Sequence, residues 1–129
     1  KTFTKSKDSS YKVINLLDIE KENFVLLREH TRLGHLTRNI LNRHNINPHN
    51  IIDVDNLNSA INMVYVGIGF SFIPEHLALN GAVDIDEINL FSINKGNHFL
   101  PIVITYKKDK AQNPNIRDFV NFVYENYKV

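Results

Sequence analysis

Five consecutive residues, Arg28-Glu29-His30-Thr31-Arg32, bring two guanidinium groups, a carboxylate, an imidazole and a hydroxyl directly behind the apolar run Phe24-Val25-Leu26-Leu27. A second polar pair, Asp55-Asn56, follows a similar run, Ile51-Ile52-Asp53-Val54. Arg28 or Arg32 can hold a carboxylate through two parallel N–H bonds, and Thr31 can donate its hydroxyl. Each pair of apolar run and polar loop precedes a helical pattern, and helix N-termini offer unpaired N–H groups and partial positive charge to an anion. Thr31 reads equally well as a helix cap, with the arginines as solvated surface.

Other constellations lead away from catalysis. His30 and His35, and again His44 and His49, are five apart, which does not put two imidazoles on one helical face, and no His-Glu-x-x-His occurs. Gly67-Ile68-Gly69 follows a helical pattern and precedes an apolar run, whereas a dinucleotide loop runs from strand through glycines to helix, so it reads as a structural turn. There is no Gly-x-Ser-x-Gly, and Ser71 lies inside an apolar run. Asp53, Asp55, Asp84, Asp86 and Glu87 alternate as solvated faces do. No catalytic residue, metal ligand or cofactor is assigned.

The elements that must position the two loops follow from pattern. Phe24 to Leu27 is continuous and too short for a helix, as in a buried parallel strand. From Arg32, the residues Leu33, Leu36, Ile40 and Leu41 share one face, predicting a helix that ends near Asn45 before Pro48. Ile51, Ile52 and Val54 predict a second strand. Asp55 and Asn56 are N-cap candidates for a helix over Leu57, Ala60, Ile61 and Val64 that reaches Val66, where Gly67 is placed for a left-handed cap. Phe70 to Ile73 predicts a third strand, stopped by Pro74. Upstream, residues 1–12 read as a loop, and Asp18 to Glu22 as a helical turn after Val13 to Leu17. Downstream, a helical turn covers Glu75 to Leu79, Asn80-Gly81 and Lys95-Gly96-Asn97 are turns, and Val83 to Phe91 is irregular and extended. Leu100 to Tyr106 predicts the strongest strand, Lys107 to Asn113 a polar loop, and Asn113-Pro114-Asn115 the start of a terminal helix with Phe119, Val120, Phe122, Val123 and Tyr127 on a wide apolar face. Alternating strands and helices with short links predict an α/β sandwich with a mainly parallel sheet.

Composition narrows the function. Fifteen Lys and Arg against fourteen Asp and Glu leave no basic footprint for nucleic acid. The absence of cysteine removes disulfides and thiolate chemistry and suits the cytoplasm. No apolar run approaches the roughly 20 residues that span a bilayer. The polar start, Lys1 to Asp8, reads as a cut through a longer protein.

The run Val64-Tyr65-Val66-Gly67-Ile68-Gly69-Phe70-Ser71-Phe72-Ile73-Pro74 resembles the effector-binding domain of LysR-type transcriptional regulators, in which a helix ending in Val leads to Gly-x-Gly, apolar residues and Pro. Leu16-Leu17-Asp18-Ile19 is similar to that family's Leu-x-Asp-Leu segment, and Asn23 to Leu27 to its strand before the first ligand loop. Leu100 to Tyr106 and Ile116 to Tyr127 are similar to its returning strand and terminal helix. The resemblance implies a three-layer αβα sandwich of the type II periplasmic-binding-protein-like class, mostly parallel with one antiparallel returning strand. It implies that residues 1–129 form one effector-binding fragment, with 13–92 as the second lobe and 99–129 as returning strand and helix; the first lobe and the DNA-binding domain lie outside the sequence. The ligand positions implied are Arg28, Glu29, His30, Thr31 and Arg32 with Asp55 and Asn56, and behind them Phe70 and Ser71. The function implied is non-enzymatic: a small effector, an organic acid or amino acid, binds in an interlobe cleft and modulates a homo-oligomer whose separate helix-turn-helix domain contacts DNA. The alternative is a lobe of a periplasmic-type solute-binding protein or another small-molecule-binding α/β module, since that class shares the fold.

Overall fold

The computed structural model describes residues 11–84, 86–93 and 104–126. They fall into two compact units, one within Ser10–Leu100 and the other within Pro101–Val129.

The first unit is built around β2 (Asn23–Leu27), which pairs in parallel with β3 (Asn50–Val54) in the register Asn23 to Asn50 through Leu27 to Val54. Helix α1 (Arg32–Arg43) links the two strands, and α2 (Leu57–Tyr65) follows β3. Successive strand residues point to opposite faces. Phe24 and Leu26 therefore pack with Ile40, Leu41 and Ile46 from the α1 side and with Leu16, while Val25 packs with Val54 and Ala60 from the α2 side. Phe24 and Val25 are fully buried. Burial on both faces is why Phe24 to Leu27 is continuously apolar rather than alternating.

Helix ends follow local chemistry. The chain leaves α1 through His44, with Asn45 at φ 54°. Asn45 N–H then bonds the Asn42 carbonyl, and Ile46 N–H the Leu41 carbonyl. The same pair of bonds closes α2, from Gly67 N–H to Val64 and from Ile68 N–H to Met63, with Gly67 at φ 76°. Both are Schellman caps, in which a left-handed residue lets the chain turn back and satisfy the last carbonyls. The Gly-x-Gly motif is thus a helix stop. Its second glycine has a different role: a Cβ on Gly69 would collide with the Asn23 carbonyl, because here the chain returns to the start of β2.

Several expectations need correction. Phe70 to Ile73 is not a third strand; Phe70 alone forms a parallel bridge with Phe24, through Phe70 N–H to Asn23 and Val25 N–H to Phe70. The apolar run is there because Phe70 and Phe72 pack on the Phe24 ring, with centroids 6.3 and 6.1 Å away. The early helical turn is a 3-10 turn over Leu16–Ile19, started by the Asn15 side chain accepting from Leu17 N–H, so it begins two residues sooner than its charges suggest. Among the described residues of the irregular stretch from Val83, only Phe91–Ser92 is a strand; this β4 pairs in parallel with β1 (Lys12–Val13). Between β3 and β4, α3 occupies Glu75–Leu79, as its pattern predicts.

In the second unit, α4 (Pro114–Asn126) starts with the Asn113 side chain accepting from Asn115 N–H. Pro114 suits the first turn, where its missing N–H costs nothing. Phe119, Phe122 and Tyr124 are exposed. A 3-10 turn at Lys108–Lys110 interrupts the polar loop before it. Ile104 to Tyr106 has no strand structure, while the rest of the predicted Leu100 to Tyr106 strand, the Lys95 to Asn97 turn and Tyr127 lie outside the described residues, as do residues 1–10.

Candidate functional site

Because β2 and β3 are parallel and in register, Leu27 and Val54 end side by side, and Arg28 N–H bonds the Val54 carbonyl at 3.1 Å. The two polar loops therefore leave the sheet together, each into a helix N-terminus. Thr31 caps α1 by accepting from Gly34 N–H at 3.0 Å while donating its own proton to the Arg28 carbonyl at 2.8 Å. Asn56 caps α2 by accepting from Ser59 N–H at 2.9 Å. The capping alternative for Thr31 is the one realised, and its single hydroxyl proton is already engaged.

One contact ties the loops to each other. Arg28 Nε donates to Asp55 Oδ1 at 2.5 Å, with the side chains 50% and 75% exposed. That hydrogen bond first, and the guanidinium charge second, hold the Asp55 carboxyl below its usual range; the same two effects from Asp55 keep Arg28 protonated to higher pH than usual. Asp55 is thus a paired group and not the merely solvated carboxylate its alternation suggests.

A second arginine holds the floor. Arg38 Nη1 donates to the Leu27 carbonyl at 2.7 Å and to the Gly34 carbonyl at 3.1 Å, while its Nη2 pairs with Asp53. The Arg38 side chain is only 18% exposed. It joins the end of β2, the first turn of α1 and β3, so Asp53 too is paired. Sequence reasoning missed Arg38 and Gly34. Gly34 is the one readable signal, a glycine inside an otherwise regular helical pattern, which marks close packing when it is retained. Here a Cβ at Gly34 would stand 2.5 Å from the Leu27 carbonyl oxygen and closer still to that of Arg28.

The structure brings Arg28, Thr31, Asp55 and Asn56 together, with Glu29, His30 and Arg32 exposed on the same loop and first turn. Phe70 and Ser71 are elsewhere. Phe70 bridges Phe24, four residues before Arg28 on the strand, or roughly 13 Å away along it. Ser71 Oγ is buried without a hydrogen-bond partner among the described residues and borders an apolar cavity of about 150 Å³ lined by Ile61, Val64, Phe72 and Phe91. Among the described residues no group of three His, Asp or Glu side chains is placed to hold a metal ion, and no helix is long and apolar enough to cross a membrane.

A parallel βαβα unit with polar loops at the carboxyl ends of its strands is the arrangement in which open α/β sheets bind ligands. In a comparison with protein families, residues 9–128 match the LysR substrate binding domain. The chain belongs to this family. It is a ligand-binding regulatory domain of a LysR-type transcriptional regulator, with the α/β, periplasmic-binding-protein-like fold of that family. Comparisons with curated proteins and with solved structures give no match. The Gly67 cap and the Gly69 approach to Asn23 are the physical content of the run that resembles the family.

Proposed function

We propose that this LysR-type domain senses a small effector bearing a carboxylate, bound at the loops Arg28 to Arg32 and Asp55-Asn56. The observation that carries this reading is that two parallel strand ends feed two helix N-termini whose loops are joined by Arg28 and Asp55. Arg28 supplies the charge, the N-terminal turns of α1 and α2 supply N–H dipoles, and Thr31 and Asn56 hold the turns in place by capping. Glu29, His30 and Arg32 border the opening.

In this reading residues 13–92 form the second lobe of a three-layer αβα sandwich, and 99–129 the antiparallel returning strand and terminal helix. The effector occupies an interlobe cleft to which these loops contribute. Its binding biases a pre-existing equilibrium between arrangements of a homo-oligomer, and so changes how a separate helix-turn-helix domain meets DNA in the cytoplasm. The exposed Phe119 and Phe122, one helical turn apart on α4, support an oligomeric form, since adjacent apolar surface favours association.

The test is an amide-resolved NMR titration of the 129-residue chain with amino acids and small organic acids. Shifts concentrated at residues 28–33 and 55–58 are the expected result. Shifts confined to the cavity beside Ser71 would refute the loop site.

A further inference from the structure

The ion pair between the two loops is one-sided. Arg28 engages Asp55 through Nε alone, and Asp55 answers with Oδ1 alone. Among the described residues, the Arg28 Nη1 and Nη2 atoms and the Asp55 Oδ2 atom take part in no further hydrogen bond. A two-nitrogen edge that fits a carboxylate therefore lies beside an unused carboxylate oxygen that fits a cation.

We infer that the effector is a zwitterion, an α-amino acid, whose carboxylate lies on the Nη edge of Arg28 and whose ammonium group donates to Asp55 Oδ2. This rests on the loop site proposed above and names its ligand class. The argument is one of charge. Arg28 is already neutralised by Asp55, and the exposed Glu29 and Arg32 on the same loop and first turn offset each other, so a bare carboxylate would leave the mouth with a net negative charge. An adjacent ammonium removes that repulsion and gives Asp55 its second partner. An α-amino acid carries its two charges on adjoining groups of one carbon, which suits a guanidinium and a carboxylate held in direct contact with each other. Specificity here comes as much from rejecting the simple acid as from binding the amino acid.

The experiment uses the 129-residue chain and pairs of probes that differ only in the amino group: alanine and propionate, aspartate and succinate, glutamate and glutarate, phenylalanine and 3-phenylpropionate. Dissociation constants are read from the amide shifts of residues 28–33 and 55–58. For at least one pair the amino acid binds ten times more tightly than its deaminated partner, and Asp55→Asn brings that ratio near one. Equal or tighter binding of the carboxylates in the unsubstituted chain overturns the zwitterion while leaving the loop site standing. A ratio that survives Asp55→Asn overturns the role of Asp55. If no probe of either series moves these amides, the loop site fails and the inference fails with it.

Discussion

Replacing Gly34 with alanine sets two effects of opposite sign against each other. In an exposed helix interior, Gly→Ala stabilises by about 0.8–1 kcal/mol, because glycine gives up more backbone freedom on folding. At Gly34 the new methyl would stand 2.5 Å from the Leu27 carbonyl oxygen and closer to that of Arg28, where real Cβ contacts essentially never fall below 3.0 Å. Neither obstacle is a flexible side-chain tip; both are backbone at the end of β2. The first turn of α1 must therefore move, and it takes with it the Thr31 cap and the bonds that Thr37 and Arg38 make to the Gly34 carbonyl. Overpacking of this kind costs about 1–3 kcal/mol, so the net effect of Gly34→Ala is destabilisation of up to about 2 kcal/mol, centred on about 1 kcal/mol. For a domain of this length that lowers Tm by roughly 3–8 °C. Urea unfolding read by circular dichroism should show a lower midpoint with an unchanged slope. A raised midpoint would mean that α1 is not clamped against the Leu27 and Arg28 carbonyls, and the derivation of a rigid loop would fall with it.

The remaining predictions concern the caps, the core and the two arginines. Asn56→Ala removes the α2 cap and should cost about 1 kcal/mol in urea unfolding, with amide shift changes confined to the first turn of α2. Phe24→Ala empties the centre of the larger core cluster and should cost about 3–5 kcal/mol, enough to leave a poorly folded chain by circular dichroism. Arg38→Met leaves the Asp53 carboxylate without its partner and the Leu27 and Gly34 carbonyls short of a donor, so a loss of about 1–3 kcal/mol is expected, whereas Arg28→Met should leave the urea midpoint nearly unchanged and act on ligand binding. Because the Asp55 carboxyl titrates below its ordinary range when folded, the contribution of its pair is complete above that ordinary range and disappears as pH falls through the lowered value. A carboxyl-carbon NMR titration should place Asp55 below the ordinary aspartate range in the native chain and return it to that range in Arg28→Met.

The parts of the fold that could be read in advance are those with a local cause. Thr31 and Asn56 mark helix starts because their side chains reach a backbone N–H three residues on, and Gly67 marks a stop because its conformation is left-handed. The burial of β2 is visible because both faces are apolar. What local pattern does not carry is who meets whom. Phe70 to Phe72 have strand composition, yet their aromatic rings stack on Phe24 while the backbone pairs only at Phe70, and composition cannot distinguish stacking from a ladder. The same holds for the site. Alternation along Ile51 to Asp55 puts Asp53 and Asp55 on the polar side of a strand, which is correct, but their partners stand fifteen and twenty-seven residues away, on α1 and on the loop before it.

In the proposed site, the two ion pairs divide the work between anchoring and recognition. Arg38 is mostly covered and spends its donors on two backbone carbonyls as well as on Asp53, so its position is determined by groups that cannot leave. Arg28 is half exposed and bound by one nitrogen to a carboxylate that is itself three-quarters exposed. An exposed pair of that kind contributes little to stability because water and salt compete with it, and for the same reason it costs little to rearrange. Recognition needs such a group, supplied by a neighbour that does not move. A rigid arginine beneath the loop and an adaptable one at its mouth meet that requirement with the same side chain, distinguished only by how much backbone each one holds.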